Sequence, residues 1–301
     1  MYQGRFGGVE PICRVLSQHG WQIAPSGYWA AKARPASARD LRDEQLIKIM
    51  YEVRGEDYNE VYGARKMWRE LNRRGHRVAR CTVERLMRRE GLSGVVRGRH
   101  KARTTVADPR HERAPDLVRR DFTAAAPNRV WVADFTEVVT WAGIAYVAFI
   151  VDVYSRTIVG WAAATSKAAP LVVAALKMAV WRRDHDGHKV QKGLIHHSDA
   201  GSQYTSTRFV GNLRLEGIDA SIGTVGDALD NALMESTIGL YKTELIKRRG
   251  PWRTLADVEL GTAQWIEWYN ARRLHSAIGH VPPNEYEAAY YARAENPALD
   301  S

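Results

Sequence analysis

The 301-residue chain carries 44 Lys and Arg against 34 Asp and Glu, a formal charge of +10, and is 45% hydrophobic. That composition fits a soluble protein of about two domains; no run approaches a membrane span and the N-terminus lacks a signal h-region, so a cytoplasmic, nucleoid-associated location without membrane contact is expected. Cys13 and Cys81, the only cysteines, exclude a disulfide framework and a Cys-based zinc site. The charge is uneven: fifteen Lys and Arg stand against five acids between Arg73 and Arg120, while the rest of the chain balances at twenty-nine each. Such concentration favours a polyanion through counterion release, which makes nucleic acid the expected partner.

Residues 1–42 read as a helical lead-in, with a short helix around 11–17, a turn at Ser26-Gly27 and a connector at 35–40. Residues 43–92 read as a helix-turn-helix-like all-α DNA-binding domain. Its helices are 44–53 (Leu46, Ile47, Met50), 62–71 (Trp68 and Leu71 inward) and 82–90 (Val83, Leu86, Met87). Arg80, Arg85, Arg88 and Arg89 fall on the outer face as candidate DNA contacts, the alternative being a small bundle with solvated arginines. Residues 93–127 form a basic linker in which Arg97, Arg99, Lys101 and Arg103 alternate with small or polar residues, as an extended strand along phosphates or a solubilising tether.

From 128 to 248 the expected order is strand (129–140), strand (145–154), strand (157–165), helix (170–183), strand (193–198), helix (206–215), strand (219–222), helix (227–246). Three strands joined by tight turns, then alternating helix and strand, give an α/β mixed five-stranded sheet flanked by helices. A C-terminal helical extension, 249–301, has a long helix over 254–278 and a short one over 285–291.

Three acids stand out. Asp134 lies in the apolar middle of the first strand, where an unpaired charge is costly and calls for a cation. Asp199 ends the short strand after Leu194 and Ile195, at the edge where sites of α/β sheets collect. Glu235 lies on the last core helix, with Asn231 and Lys242 on its face as candidate DNA contacts. If the strands of Asp134 and Asp199 are neighbours, three hard oxygen ligands converge, a set suited to two Mg²⁺ or Mn²⁺ ions about 4 Å apart for phosphoryl transfer. Asp152 reads as a turn cap or a partner of Arg156. Glu137 faces the other side of its strand, and His197 alone of the two histidines shares the face of Asp199.

Asp134, Asp199 and Glu235, with 35 residues between the last two, resemble the DDE triad of retroviral integrases and bacterial insertion-sequence transposases. The words around them are Trp131-Val-Ala-Asp-Phe-Thr136, His197-Ser-Asp-Ala-Gly-Ser-Gln-Tyr204, Asp230-Asn-Ala-Leu-Met-Glu235, Lys242 and Tyr269-Asn-Ala-Arg-Arg-Leu-His275. They resemble the OrfB product of the insertion sequence three family; Ala200 departs from it, many relatives having Arg there. The resemblance implies a ribonuclease H-like core whose first and fourth strands are neighbours, and two-metal nicking at transposon ends followed by 3′-hydroxyl strand transfer. It also implies Lys242 as a contact to transposon-end DNA. The implied partners are terminal-repeat and target duplex DNA, an upstream-frame product fused by frameshifting, and further copies of the chain as a homo-oligomer on DNA. A purely hydrolytic nuclease of the same fold and a non-catalytic DNA-binding regulator are the alternatives.

Overall fold

The computed structural model describes residues 8–96, 114–118, 121–223 and 231–296. The basic run Arg97 to Arg103, Asp230 and the expected start of a helix at 227 lie outside the described residues. The chain forms two compact units, residues 1–52 and 53–301.

The first unit holds α1 (Val9–Gln18), α2 (Pro25–Ala33) and most of α3 (Ala38–Gly55). Helix α2 replaces the turn expected at Ser26-Gly27: Pro25 occupies the first helical turn, where its fixed φ favours a helix start. Helix α3 begins six residues before the expected Glu44, because Ser37 and Asp40 cap its start reciprocally through Asp40 N–H to Ser37 Oγ and Ser37 N–H to Asp40 Oδ2, both 3.2 Å.

The second unit begins with α4 (Ala64–Arg73) and α5 (Arg80–Arg89), joined by the Gly75 turn. Its centre is β1 (Val130–Thr140), β2 (Gly143–Asp152), β3 (Ile158–Ala164), β4 (Ile195–Ser198) and β5 (Asp219–Ile222), in the order β3-β2-β1-β4-β5. The first three strands pair antiparallel, while β1–β4 and β4–β5 pair parallel. This is the mixed sheet expected from the strand order.

Alternation along β1 splits the core in two. Trp131 and Ala133 face α6 (Ala169–His185) and α7 (Thr207–Leu215), with Leu176, Ala179 and Phe209. Gly160 on β3 permits that approach, since a Cβ there would stand 2.3 Å from the Ala175 carbonyl oxygen. Val132 and Val138 face α8 (Ala232–Tyr241) and α10 (Leu255–Ala271), where Phe149, Tyr241, Trp265 and Tyr269 form a buried aromatic cluster.

Within the second unit, the stretch before α4 and the C-terminal helices pack on the core of the sheet. Tyr58, Val61 and Tyr62, just before α4, belong to the same apolar core as Val132 and Trp268. Trp268 on α10 packs on the Tyr58 ring at 5.4 Å and donates through Nε1 to Asn59 Oδ1 at 3.2 Å. The 93–127 segment is likewise no free tether in its described part: Val118 is buried, Leu117 N–H donates to Ser221 Oγ on β5, and Phe122 packs on the core.

The helix expected over 254–278 stops at Ala271, because the N–H groups of Arg272 and Arg273 both fold back onto the Trp268 carbonyl. The chain then turns, and His275 bridges Val281. Pro283 opens α11 (Pro283–Glu295), which starts two residues before the expected short helix and runs past its expected end at 291. This last helix is anchored by a buried network. Asp152 accepts from the N–H groups of Asn128, Tyr154 and Ser155, so it does cap the turn, but its cation is Arg183 at 3.8 Å rather than Arg156. Arg183 in turn forks onto Glu287 of α11. Glu287→Ala leaves the Arg183 charge buried beside a single acid and should cost about 3–5 kcal/mol in denaturant unfolding; an unchanged midpoint would show that α11 is not anchored by this pair.

Candidate active site

The parallel register of β1 and β4 sets Val132 beside His197 and Ala133 beside Ser198. The next residues on the two strands are Asp134 and Asp199, and neighbouring strands lie about 5 Å apart, so both carboxylates leave the sheet at one edge. Asp134 is two residues beyond Val132 and shares its face, the side covered by α8. Asn231 fixes that helix to the strand: its Nδ2 donates to the Ala133 carbonyl, one residue before Asp134, at 3.2 Å. Glu235 follows in the first turn of α8, and Lys242 is its C-terminal boundary, where the helix passes into a π-helical turn over Lys242–Ile246.

Electrostatics show the convergence. Burial first, then the charges of Asp199 and Glu235, push the Asp134 carboxyl up to about 8, opposed by the Phe135 N–H and by Lys242. Burial also raises Asp199, opposed by the Gly201 N–H and by His197. Gly201 donates to Asp199 Oδ1 at 3.2 Å, and a Cβ at Gly201 would stand 3.0 Å from that oxygen, so the glycine of Asp-Ala-Gly leaves room for the carboxylate.

Asp134 and Asp199 are partly accessible and Glu235 is exposed; among the described residues no three His, Cys, Asp or Glu stand close enough to hold one ion. The donor set still fits a divalent cation. Two neighbouring carboxylates raise each other's cost of ionisation, and a hard cation is what relieves it.

Three family models match the chain: an integrase core domain over residues 124–228, a second integrase core domain over 216–283, and an HTH-like domain over 38–100. A putative transposase for the insertion sequence element IS986/IS6110 of Mycobacterium tuberculosis is 54% identical, covering 92% of this chain and 99% of its own length. The chain belongs to the insertion sequence three family of transposases. The IS629 transposase of Shigella sonnei is 46% identical over 97% of this chain and 95% of that protein. Among solved structures, the catalytic core domain of HTLV-2 integrase in complex with magnesium is similar at a TM-score of 0.43 and 16% identity, over 55% of this chain and 99% of that one.

As a DDE-type transposase with an integrase core, the protein has the ribonuclease H-like fold that its sequence resembles. The other residues singled out in the sequence take these places. Asn231, expected on DNA, spends its amide on β1. On α5, Arg80 pairs with Glu84 at 2.7 Å and Arg89 with Glu90 at 3.1 Å; Arg88 is exposed, and Arg85 is half-buried and engaged within the protein. Glu137 points away from the acids and approaches Lys167. His196 is buried against Phe209, and burial drives its ring down to about 3. His197 contacts Ser221 Oγ through Nδ1 at 2.8 Å beneath Asp199, with Asp116 at 3.8 Å. Tyr204 is buried near Asp134 and Asp199, which with its own desolvation push its hydroxyl well above the ordinary value. Ser221 and Asp116 were not legible in the sequence, since neither lies in a motif and both arrive through tertiary packing.

The raised Asp134 carboxyl has a signed consequence. The folded protein holds this proton more tightly than the unfolded chain, whose carboxyl titrates near 3.8, so without divalent ion the contribution of Asp134 to stability falls as pH rises from about 4 to about 8. Asp134→Asn should therefore raise the thermal midpoint at pH 8 in chelator and change it little at pH 4; equal shifts at both pH values would contradict the buried acid pair.

Proposed function

We propose that Asp134, Asp199 and Glu235 are the catalytic acids with which the transposase nicks transposon ends and joins the freed 3′-hydroxyl to another phosphodiester. The observation that carries this reading is the parallel β1–β4 register, which sets Asp134 and Asp199 side by side under the helix that bears Glu235. Integrase core domains are metal-dependent. Two Mg²⁺ or Mn²⁺ ions, when bound, supply Lewis-acid activation of the attacking oxygen and charge stabilisation on the leaving one. Asp134, central among the three, would be shared between the ions, with Asp199 and Glu235 holding one each.

The remaining residues position these acids. Asn231 holds the start of α8 to β1, and Gly201 and His197 orient and partly neutralise Asp199. Lys242 lies about two turns beyond Glu235 on the same helical face, within electrostatic reach of Asp134, and is placed to meet the phosphate of a transposon end. Arg80, Arg85, Arg88 and Arg89 on α5 are the candidate contacts of the HTH-like segment with duplex DNA. We assign the terminal repeats and the target as substrates, an upstream-frame product and further copies of the chain as partners, and the cytoplasmic nucleoid as the place of action.

The test is Mg²⁺-dependent cleavage and joining of a labelled duplex carrying the element's own terminal repeats. Glu235→Gln and Asp134→Ala should abolish both steps and leave duplex binding within about twofold, because neither substitution removes a phosphate-binding cation. Cleavage without joining by the unsubstituted protein would favour a hydrolytic nuclease. Binding indifferent to Mg²⁺ with chemistry in neither protein, even with the upstream product added, would favour a regulator.

A further inference from the structure

We propose that α4 and the loop before α11 form a second, sequence-independent phosphate-binding surface for duplex DNA, built on the exposed guanidinium groups of Arg65 and Arg69 with His280 beside them. The inference rests on the reading of the protein as one that acts on DNA, and concerns a surface separate from the arginines of α5.

Two ties fix the geometry. At the start of α4, the Tyr62 hydroxyl accepts from Leu274 N–H at 3.1 Å and donates to the Arg272 carbonyl at 3.3 Å. At its end, Arg73 forks onto Glu285 at 2.9 and 2.7 Å. The segment 272–285 is thereby pinned along α4 at both ends. His280 sits between the pins, held in the left-handed region at φ 63 with its N–H donating to the His275 carbonyl at 2.8 Å. Arg65 and Arg69 are four residues apart on one exposed face of α4, about 6 Å along its axis. Lys66 lies over the Tyr62 ring at 5.2 Å, and the Arg69 guanidinium over the Trp68 ring at 4.6 Å, so both stems are held by aromatic surface.

The charge of this surface is unmatched. The acids around it are taken: Glu70 by Arg74 at 2.8 Å, Glu285 by Arg73, and Glu244 by Arg273 at 2.6 Å. Among the described residues no carboxylate pairs with Arg65 or Arg69, and the Nδ1 atom of His280 is buried without a hydrogen-bond partner. Helix α4 also starts at Gly63 with no side-chain cap and no acid in its first turn, which adds free N–H groups and the positive end of the helix dipole. On α5, by contrast, Arg80 and Arg89 already have internal partners. Like charges held together at this density are tolerated when a polyanion shares them. Two guanidinium groups about one helical turn apart suit successive phosphates better than one small anion, and such contacts fix position without reading sequence.

Fluorescence anisotropy in chelator, with labelled duplexes of terminal-repeat and unrelated sequence, tests this on the full chain. Arg65→Gln/Arg69→Gln should weaken binding about tenfold for both duplexes alike, and reduce the slope of log affinity against log salt by about one to two. Arg65→Lys/Arg69→Lys should restore most of the affinity, which separates lost charge from misfolding. Lys177→Gln, which removes an exposed charge on α6, should stay within about twofold. Unchanged affinity and salt slope in the Gln pair, with the unsubstituted protein binding normally, would overturn the inference alone. Failure of the unsubstituted protein to bind any duplex would overturn the DNA reading and this surface with it.

Discussion

The structure depends on one parallel pairing, β1 with β4, and on the repulsion that it imposes. It places Asp134 and Asp199 at adjacent positions on one sheet edge, where burial makes each charge costly and the charge of Asp199 makes that of Asp134 costlier still. The surrounding protein tempers this cost without removing it. The Phe135 and Gly201 N–H groups, His197 and Lys242 all favour the ionised acids, yet the Asp134 carboxyl still ends near 8. On the function proposed for this site, divalent cations would supply the charge that the fold itself does not.

Holding Glu235 opposite these acids requires that α8 be rigid, and the C-terminal third of the chain provides the rigidity. Tyr241 at the end of α8 stacks edge-on against Phe149 and Trp265, and its hydroxyl meets Thr262 at 2.7 Å. The following π-helical turn directs Glu244 inward to a buried, two-pronged pair with Arg273. Asn270 exchanges two hydrogen bonds with the backbone of Ile158 at the start of β3. The Tyr269 to His275 motif therefore acts as a clasp between α10, the edge of the sheet and the segment after α8, rather than as part of the chemistry.

The same clasp explains why the DNA-binding helices and the core are continuous. Tyr62 bonds to Leu274 and Arg272, and Lys66 is desolvated beside Arg273 to the point where its ammonium titrates near 7. Helix α4 thus touches the network that supports α8, and a phosphate bound along it would sit on the framework that carries Glu235.

The sequence by itself determined the three acids, the strand order and the family, because these rest on local pattern: apolar alternation, the Asp-Ala-Gly word, and the helical spacing of Asn231, Glu235 and Lys242. The glycine that makes room for Asp199 was visible as a residue type, although its contact with the carboxylate was not. Only the tertiary structure decided the partners. Asn231 turned to β1, Asp152 found Arg183 and Glu287 instead of Arg156, His197 found Ser221, and the helix expected to reach 278 ended at Ala271. Each of these pairs residues far apart in the chain, where a buried donor or charge must be satisfied by whatever the packing brings beside it. Periodicity records which face of an element is apolar, and carries no information about which distant group meets its polar atoms.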